Sequence, residues 1–199
     1  AWVKDAAVVD VAIGPIEVYD DPLGQKASFQ GIANFLDPRM AKMAASLQDI
    51  GGYLEQNAPW ASIYKKTKLT ASAIRFVQDV IRAGKIGGVL HLIGENLPND
   101  PHLVKRYGSK STIIQNINPS MAAVARVQIL KEFFWDFEGG KELIDKWAKT
   151  AEDLRVGLHE GAGHGLGRPS PRMKGQPSDH LKEYFSPLEE ARADLAAYW

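Results

Sequence analysis

The chain has 199 residues, enough for one domain with a small appended lobe. Apolar residues make up 45% and charged residues 24%, and 24 basic side chains balance 24 acidic ones, so no net charge attracts the protein to nucleic acid or to an anionic membrane. The lack of cysteine excludes disulfides and thiolate metal sites, and no apolar run approaches the ~20 residues that a membrane-spanning helix needs.

Residues 7–36 alternate between apolar and polar side chains in the manner of β-strands. Two apolar stretches precede the turn signal Asp20 to Gly24, and an extended pattern resumes after it. We therefore expect a hairpin or small sheet in residues 1–36, as part of a second lobe.

From residue 37 onward helical patterns predominate. Asp37 is predicted to cap a helix that ends at Gly51, and a second amphipathic run of this kind extends from Ile74 to Ile81. The segment from Gly94 to Pro101 is predicted to be a loop because it is rich in Gly, Pro, Asn and Asp.

Helical spacing continues in the carboxy-terminal part, at residues 120–137 and 141–147. Thr150 opens a capping-box pattern that predicts a separate helix running to His164. Residues 167–180 are predicted to be loop because they are rich in Gly, Pro and Ser.

The last helix is predicted to begin at Ser186, with Pro187 in its first turn and Glu189 as the capping-box acid. Helices thus dominate residues 37–199. The predicted fold class is α+β, with a mainly helical core and a small β-sheet portion near the amino terminus.

The stretch His159-Glu160-Gly161-Ala162-Gly163-His164 carries the clearest chemical signal. It contains the residues of the zinc motif H-E-x-x-H, in which the histidines bind the metal and the glutamate is the general base, but one extra residue separates the histidines. On a regular helix, residues five apart point about 140° away from each other and cannot reach one ion. A one-residue π-bulge restores a shared face, so the motif predicts a zinc site only if this helix is bulged.

A third ligand is expected in the last helix, where Glu190 and Asp194 are four residues apart and share one face. Glu190 is predicted to bind the ion and Asp194 to accept the free N–H of a ligating histidine, and Glu189 is assigned with Asp194 to the residues that support the ligands. Two histidines and one glutamate leave a coordination position open, as in catalytic zinc sites, and Glu160 is then the base that activates a zinc-bound water. The alternative for both segments is a solvated helix surface with ordinary charged residues.

These residues resemble the dipeptidyl peptidase III family of zinc exopeptidases, whose H-E-x-x-G-H motif is followed by a segment like E-E-C-R-A-E. Here that segment is Glu189-Glu190-Ala191-Arg192-Ala193-Asp194, with Ala191 in place of a cysteine and Asp194 in place of a glutamate. The resemblance implies that Glu190 is the third ligand. The stretch between His164 and Glu190 is shorter than in the long eukaryotic members, so the chain resembles a compact bacterial member of the family.

Two upstream segments match the same family in the same order. The stretch Ile16-Glu17-Val18-Tyr19-Asp20-Asp21-Pro22-Leu23-Gly24 resembles I-E-S-Y-R-D-P-x-G, and Asn96-Leu97-Pro98-Asn99 resembles N-I-P-N. The resemblance implies that Tyr19 is catalytic and hydrogen-bonds the tetrahedral intermediate. The residues that it implies for binding the substrate's amino end and backbone are Glu17, Asn96 and Asn99. Without the resemblance, the same positions fit a half-buried strand tyrosine and a proline turn.

The resemblance implies a peptidase with one Zn²⁺ ion that releases dipeptides from the amino end of short peptides. The alternatives are a zinc hydrolase of another specificity, such as an endopeptidase, and a peptide-binding module that keeps the metal without catalysis. Family members are longer and have further carboxy-terminal helices, so we expect the chain to be part of a two-lobed enzyme whose remainder completes the cleft. We expect short peptides as partners, neither nucleic acid nor membrane, and a cytoplasmic location with the periplasm as the alternative.

Overall fold

The computed structural model describes residues 2–14, 29–67, 73–84, 93–98, 101–116, 132 and 139–199. Within these ranges the strands are β1 (Val9–Gly14), β2 (Gln30–Leu36), β3 (Ala73–Gly84), β4 (Gly94–Leu97) and β5 (Lys110–Ile114). The α-helices are α1 (Ala41–Asn57), α2 (Pro101–Tyr107), α3 (Gly140–Leu158), α4 (Pro177–Leu181) and α5 (Phe185–Tyr198), and a π-helical segment, His159–Gly163, follows α3 directly. Short 3-10 turns lie at Trp2–Lys4, Pro38–Met40, Ser62–Tyr64 and Lys182–Tyr184. None of the helices in these ranges has the length and apolar character needed to cross a membrane.

The described strands form one sheet in the order β1-β2-β3-β5-β4. β3 and β5 run parallel, and the other neighbouring strands run antiparallel. The predicted β structure in residues 7–36 is confirmed at β1 and β2, whereas the turn signal at Asp20 lies outside the described residues. The β structure is not confined to residues 1–36, because three of the five strands lie beyond them. The α+β class is confirmed.

The amphipathic run from Ile74 to Ile81 is part of strand β3 and does not form a helix. Residues from Ile74 to Val77 are buried without a break, because β3 lies in the middle of the sheet. The run is too short for the spacing of its apolar residues to distinguish a strand from a helix. The β-branched residues Ile74, Val77, Val80 and Ile81 favour the strand.

Helix α1 does not end at Gly51 as predicted but continues to Asn57. Two glycines inside a helix cost roughly 1 kcal/mol each relative to alanine, and buried side chains on both sides of them, Leu47 and Glu55, outweigh this local preference. The helix ends where Ala58 precedes Pro59 and takes up an extended conformation, because the proline ring disfavours a helical residue before it.

Three further local predictions are wrong in the structure. The segment beginning at Gly94 is first strand β4 and becomes irregular only after Leu97. Thr150 does not begin a new helix, because α3 is continuous and the Lys149–Asp153 ion pair, at 2.7 Å, spans the predicted break. The predicted loop over residues 167–180 contains the start of α4, and the predicted helix over residues 120–137 lies outside the described residues.

Helices α1 and α3 pack against the sheet around one apolar core. Its buried members are Leu47, Ile74, Phe76, Ile113 and Val156. Because Val156 belongs to the last turn of α3, this core fixes the position and direction of the π-helical segment that follows. The candidate site therefore directly follows a helix that packs against the sheet.

Candidate metal centre

The two histidines of the motif lie at the two ends of a π-helical turn. The backbone N–H of His164 donates to the carbonyl of His159 at 3.0 Å, which is the five-residue hydrogen bond of a π-helix. The predicted bulge is thus confirmed. It turns both imidazoles to one side, where the ring centroids are 4.9 Å apart and the ring planes meet at 86°.

Helix α5 crosses the π-helical segment closely, and Gly163 makes this approach possible. A Cβ atom at Gly163 would lie 2.7 Å from the carbonyl oxygen of Ala193 and 2.8 Å from its Cα atom. Ala193 is itself completely buried. The glycine is therefore required because two backbones meet at this point, and this contact places Glu190 and Asp194 beside the histidines.

The carboxylate of Glu190 faces the Nε2 atoms of both histidines. Its Oε2 atom is 3.2 Å from Nε2 of His159, and its Oε1 atom is 3.7 Å from Nε2 of His164. One ligand atom from each of these three residues lies within 4.8 Å of the other two. The structure therefore brings together the three predicted ligands.

The remaining ring nitrogen of each histidine meets an acid. Nδ1 of His159 is 2.9 Å from Oδ1 of Asp194, as the prediction for Asp194 requires, and Nδ1 of His164 is 3.1 Å from Oε1 of Glu189. An Nδ1–H that donates to a carboxylate leaves Nε2 with its lone pair available. The two histidines are thus held in matching ways, and we call His159, His164, Glu189, Glu190 and Asp194 the histidine cluster.

Glu189 lies against a ligand histidine and is not the capping-box acid that the sequence also suggested. Helix α5 begins at Phe185, one residue before the predicted cap Ser186, and its N-cap residue Tyr184 makes no capping hydrogen bond through its side chain. Glu189 instead accepts hydrogen bonds from Arg192 and faces His164. A capping box and a contact one turn along the helix share similar spacing, so the sequence alone could not separate these roles.

Two arginines hold the acids that orient the histidines. Arg192 bonds both carboxylate oxygens of Glu189, and Arg155 bonds Glu152 at 2.8 Å and lies 3.4 Å from Asp194. Burial favours a higher pKa for Glu189, but the hydrogen bonds from Arg192 and His164 outweigh it and lower that pKa to about 2. The hydrogen bond with Glu190 raises the pKa of His159 above its ordinary value.

Glu160 is buried, with 8% of its surface exposed, and it packs against strand β4. A Cβ atom at Gly94 would lie 2.7 Å from Oε1 and 2.8 Å from Cγ of Glu160, so only glycine leaves room for this side chain. Burial raises the pKa of Glu160, and the nearby histidines partly oppose that rise. Among the described residues, no group donates a hydrogen bond to its carboxylate, which suits a group that accepts a proton.

Asn96 lies on β4, two residues after Gly94 and therefore on the same face of the strand. The hydroxyl of Ser111 is 3.3 Å from Oδ1 of Asn96 and 3.3 Å from the carbonyl oxygen of Glu160, and it can donate to either one. Asn96 is thus linked to the π-helical segment through the side chain of Ser111. The other residues that the resemblance implied for catalysis and substrate binding lie outside the described residues: Tyr19, Glu17 and Asn99.

The donor set of the histidine cluster fits a zinc ion. Two imidazole nitrogens and one carboxylate are ligands that Zn²⁺ accepts, and three protein ligands leave a position for water or substrate. Sequence reasoning missed the contacts of Arg155 and Arg192. Local spacing offered a signal for the two arginines, since Arg155 is four residues before His159 and Arg192 three after Glu189, whereas nothing local indicated Gly94 or Ser111.

Comparisons with known proteins agree with this geometry. The model of peptidase family M49 matches residues 1–191. The chain is 30% identical to Nudix hydrolase 3 of Arabidopsis thaliana over 212 residues, which is all of this chain and 26% of that protein. It is 29% identical to dipeptidyl peptidase 3 of Nematostella vectensis over 168 residues, which is 84% of this chain and 22% of that protein.

A solved structure has the same fold. Dipeptidyl-peptidase III from Corallococcus sp. strain EGB superposes with a TM-score of 0.80 and 27% sequence identity over 100% of this chain and 37% of that chain. This chain therefore spans about a quarter to a third of the proteins it resembles. The family match over nearly its whole length confirms the resemblance drawn from the motifs: the chain belongs to peptidase family M49.

Proposed function

We propose that this chain holds the zinc site of a peptidase that hydrolyses peptide bonds of short peptides, with His159, His164 and Glu190 as ligands. The observation that carries the proposal is the convergence of two Nε2 atoms and one carboxylate, each imidazole having its other nitrogen against an acid. Membership in peptidase family M49 supports the reaction class. Because the chain spans only part of its relatives, the activity is proposed for the full-length protein that contains it.

Glu160 is the proposed general base. Zinc bound by the three ligands supplies Lewis acidity toward a peptide carbonyl and toward water. Glu160 follows His159 directly in sequence, and its buried carboxylate can accept a proton from the attacking water and then pass it to the leaving amine. Its packing against Gly94 holds the carboxylate in one orientation.

Release of dipeptides from the amino end is the finer part of the proposal. The relatives named dipeptidyl peptidase 3 support it, as does the position of Asn96 beside the catalytic segment. Among the described strands, β4 lies at the edge of the sheet, where an extended peptide can add as a further strand. A peptide there would run past both Gly94 and Asn96. Glu17, Tyr19 and Asn99 stay predictions for the amino-end contacts.

The name of the plant relative, Nudix hydrolase 3, does not change this proposal. The match covers 26% of that protein, so the activity in its name has no necessary link to the matched part. Most of the same chain also matches proteins named for peptidase activity. Two other possibilities stay open to experiment: an endopeptidase or other amide hydrolase with the same centre, and a metal-containing module that binds peptides without cleaving them.

Substitution of the base tests the mechanism. In the full-length protein we expect about one zinc ion per chain, and Glu160→Gln should lower peptidase activity on the order of 10²- to 10⁴-fold while zinc stays bound. Glu183→Gln, an exposed glutamate in the turn before α5, is the matched control and should leave both unchanged. Retained activity in Glu160→Gln would contradict the proposed base.

Product analysis tests the specificity. Mass spectrometry of peptides with free and with acetylated amino ends should give dipeptides from the free peptides only. Internal fragments from blocked peptides would favour an endopeptidase. Binding of peptides without any turnover by the zinc-loaded full-length protein would favour the non-catalytic module.

A further inference from the structure

We infer that Glu55, a completely buried glutamate of helix α1, is a positioning residue for His164. The inference rests on the proposed zinc site but concerns a residue outside both sequence motifs. Oε1 of Glu55 accepts the backbone N–H of Lys66, and Oε2 accepts the backbone N–H of Gly167, each at 2.8 Å. Burying a carboxylate is costly unless hydrogen bonds compensate for the lost water, and here both oxygens have backbone donors.

The second of these donors belongs to the segment that directly follows His164. Three side chains from different parts of the chain hold residues 165–167. Besides the bond from Glu55 to Gly167, Nζ of Lys66 donates to the carbonyl of Gly165 at 2.6 Å, and Arg192 donates to the carbonyl of Leu166 at 3.1 Å. The backbone leaving the π-helical turn is therefore fixed residue by residue.

The same network also reaches the imidazole of His164. Arg192 donates to Oε2 of Glu189 at 2.8 Å, and Oε1 of Glu189 lies 3.1 Å from Nδ1 of His164. One connected set of hydrogen bonds thus fixes both the backbone after His164 and the orientation of its ring. Glu55 touches neither the ring nor the ligand atoms, so it acts through the backbone of residues 165–167.

A π-helical turn explains why this support is needed. The turn contains one more residue than an α-helical turn, and the five-residue hydrogen bond from His164 to His159 lies at its end. Without the bonds to residues 165–167, the chain could return to regular helical spacing, in which the two histidines point about 140° apart. Glu55 and Lys66 hold the exit of the turn, whereas α5 contacts the turn itself through Gly163.

Measuring both the zinc Kd and the free energy of unfolding distinguishes a positioning role of Glu55 from a purely structural one. In the full-length protein, Glu55→Gln keeps the shape of the side chain but can accept only one of the two N–H groups. We expect its Kd for zinc, measured by competition with a chromophoric chelator, to rise about tenfold, as for residues that orient metal ligands. Asp153→Asn is the matched control: Asp153 is also buried and accepts hydrogen bonds from two side chains, Gln115 and Lys149, but neither contacts the histidine cluster. It should lower the free energy of unfolding and leave the zinc Kd unchanged.

Lys66→Met provides an independent second variant if Glu55→Gln does not fold. It removes the donor to Gly165 and leaves the backbone N–H that Glu55 uses, so we expect a smaller rise in the zinc Kd, about threefold. A zinc Kd equal to that of the unmodified protein in a folded variant, or a rise no larger than that of Asp153→Asn, overturns the inference alone. Failure of the unmodified protein to bind zinc would overturn the proposed function and this inference with it.

Discussion

The cluster around Asp10 in the sheet buries its charges almost completely, whereas the histidine cluster keeps two of its acids half exposed. Asp10 accepts hydrogen bonds from Trp2 and from Lys110, which is fully buried, and it lies 3.4 Å from Arg75. In the histidine cluster the side chains of Glu190 and Asp194 are 45% and 51% exposed. We call the group around Asp10, which consists of Asp10, Arg75 and Lys110, the sheet cluster.

The difference shows how one chain uses ionisable groups for two purposes. In the sheet cluster one carboxylate is surrounded by two cations and an indole N–H, so its charge is compensated within the protein. In the histidine cluster the three donor atoms converge on a partly exposed point, where an ion and a substrate can enter. A cluster completed by its own side chains contributes to stability, whereas one with converging donors is suited to bind a ligand.

The largest expected effect concerns stability in the sheet cluster. Asp10→Asn leaves Lys110 and Arg75 buried without a counter-charge, and we expect the free energy of unfolding to fall by about 3–5 kcal/mol in urea titrations. The zinc Kd of the folded fraction should not change. Asp5→Asn, at an exposed carboxylate that accepts the N–H of Ala7, is the control and should have little effect. Weaker zinc binding with unchanged stability in Asp10→Asn would break the comparison.

Substitutions at two separate glycines test whether close backbone packing holds the histidine cluster together. Gly163→Ala places a Cβ atom 2.7 Å from the carbonyl of Ala193, and we expect a loss of about 1–3 kcal/mol in unfolding free energy together with weaker zinc binding. The control is Gly52→Ala in the interior of α1, where nothing lies within 4 Å of the new atom. Its helix propensity should raise stability by up to about 1 kcal/mol. Equal effects at the two positions would show that α5 does not depend on this contact.

The smallest effect on the fold is expected from the acid that orients His159. Asp194→Asn should weaken zinc binding by about 10- to 100-fold, because the carboxylate that fixes the ring through Nδ1 loses its charge, while the unfolding midpoint changes little. The matched control is Asp145→Asn, a half-exposed aspartate that pairs with Lys141 on α3. Calorimetric zinc titration measures the zinc affinity of both variants. A loss of stability without a change in zinc affinity would assign Asp194 to the same class as Asp10.

The local patterns predicted the centre of the site better than the surrounding fold. The extra residue between His159 and His164 required a π-bulge, and the structure contains one. The position of Asp194 one turn after Glu190 predicted a contact with a histidine ring, which Asp194 makes to His159. The bulge was predictable because it depends only on the geometry of a short helical segment, whereas the contact of Asp194 with His159 also requires α5 to pack against that segment.

The sequence by itself therefore determined the spacing of the two histidines and the need for a distorted helix, since these follow from backbone geometry within a few residues. Only the tertiary structure decided that the run beginning at Ile74 is a central strand, that Gly94 makes room for Glu160, and that Glu55 holds the segment after His164. These features join positions roughly forty to more than one hundred residues apart in the sequence. No local propensity encodes such contacts, because they depend on which surfaces the packed core brings together.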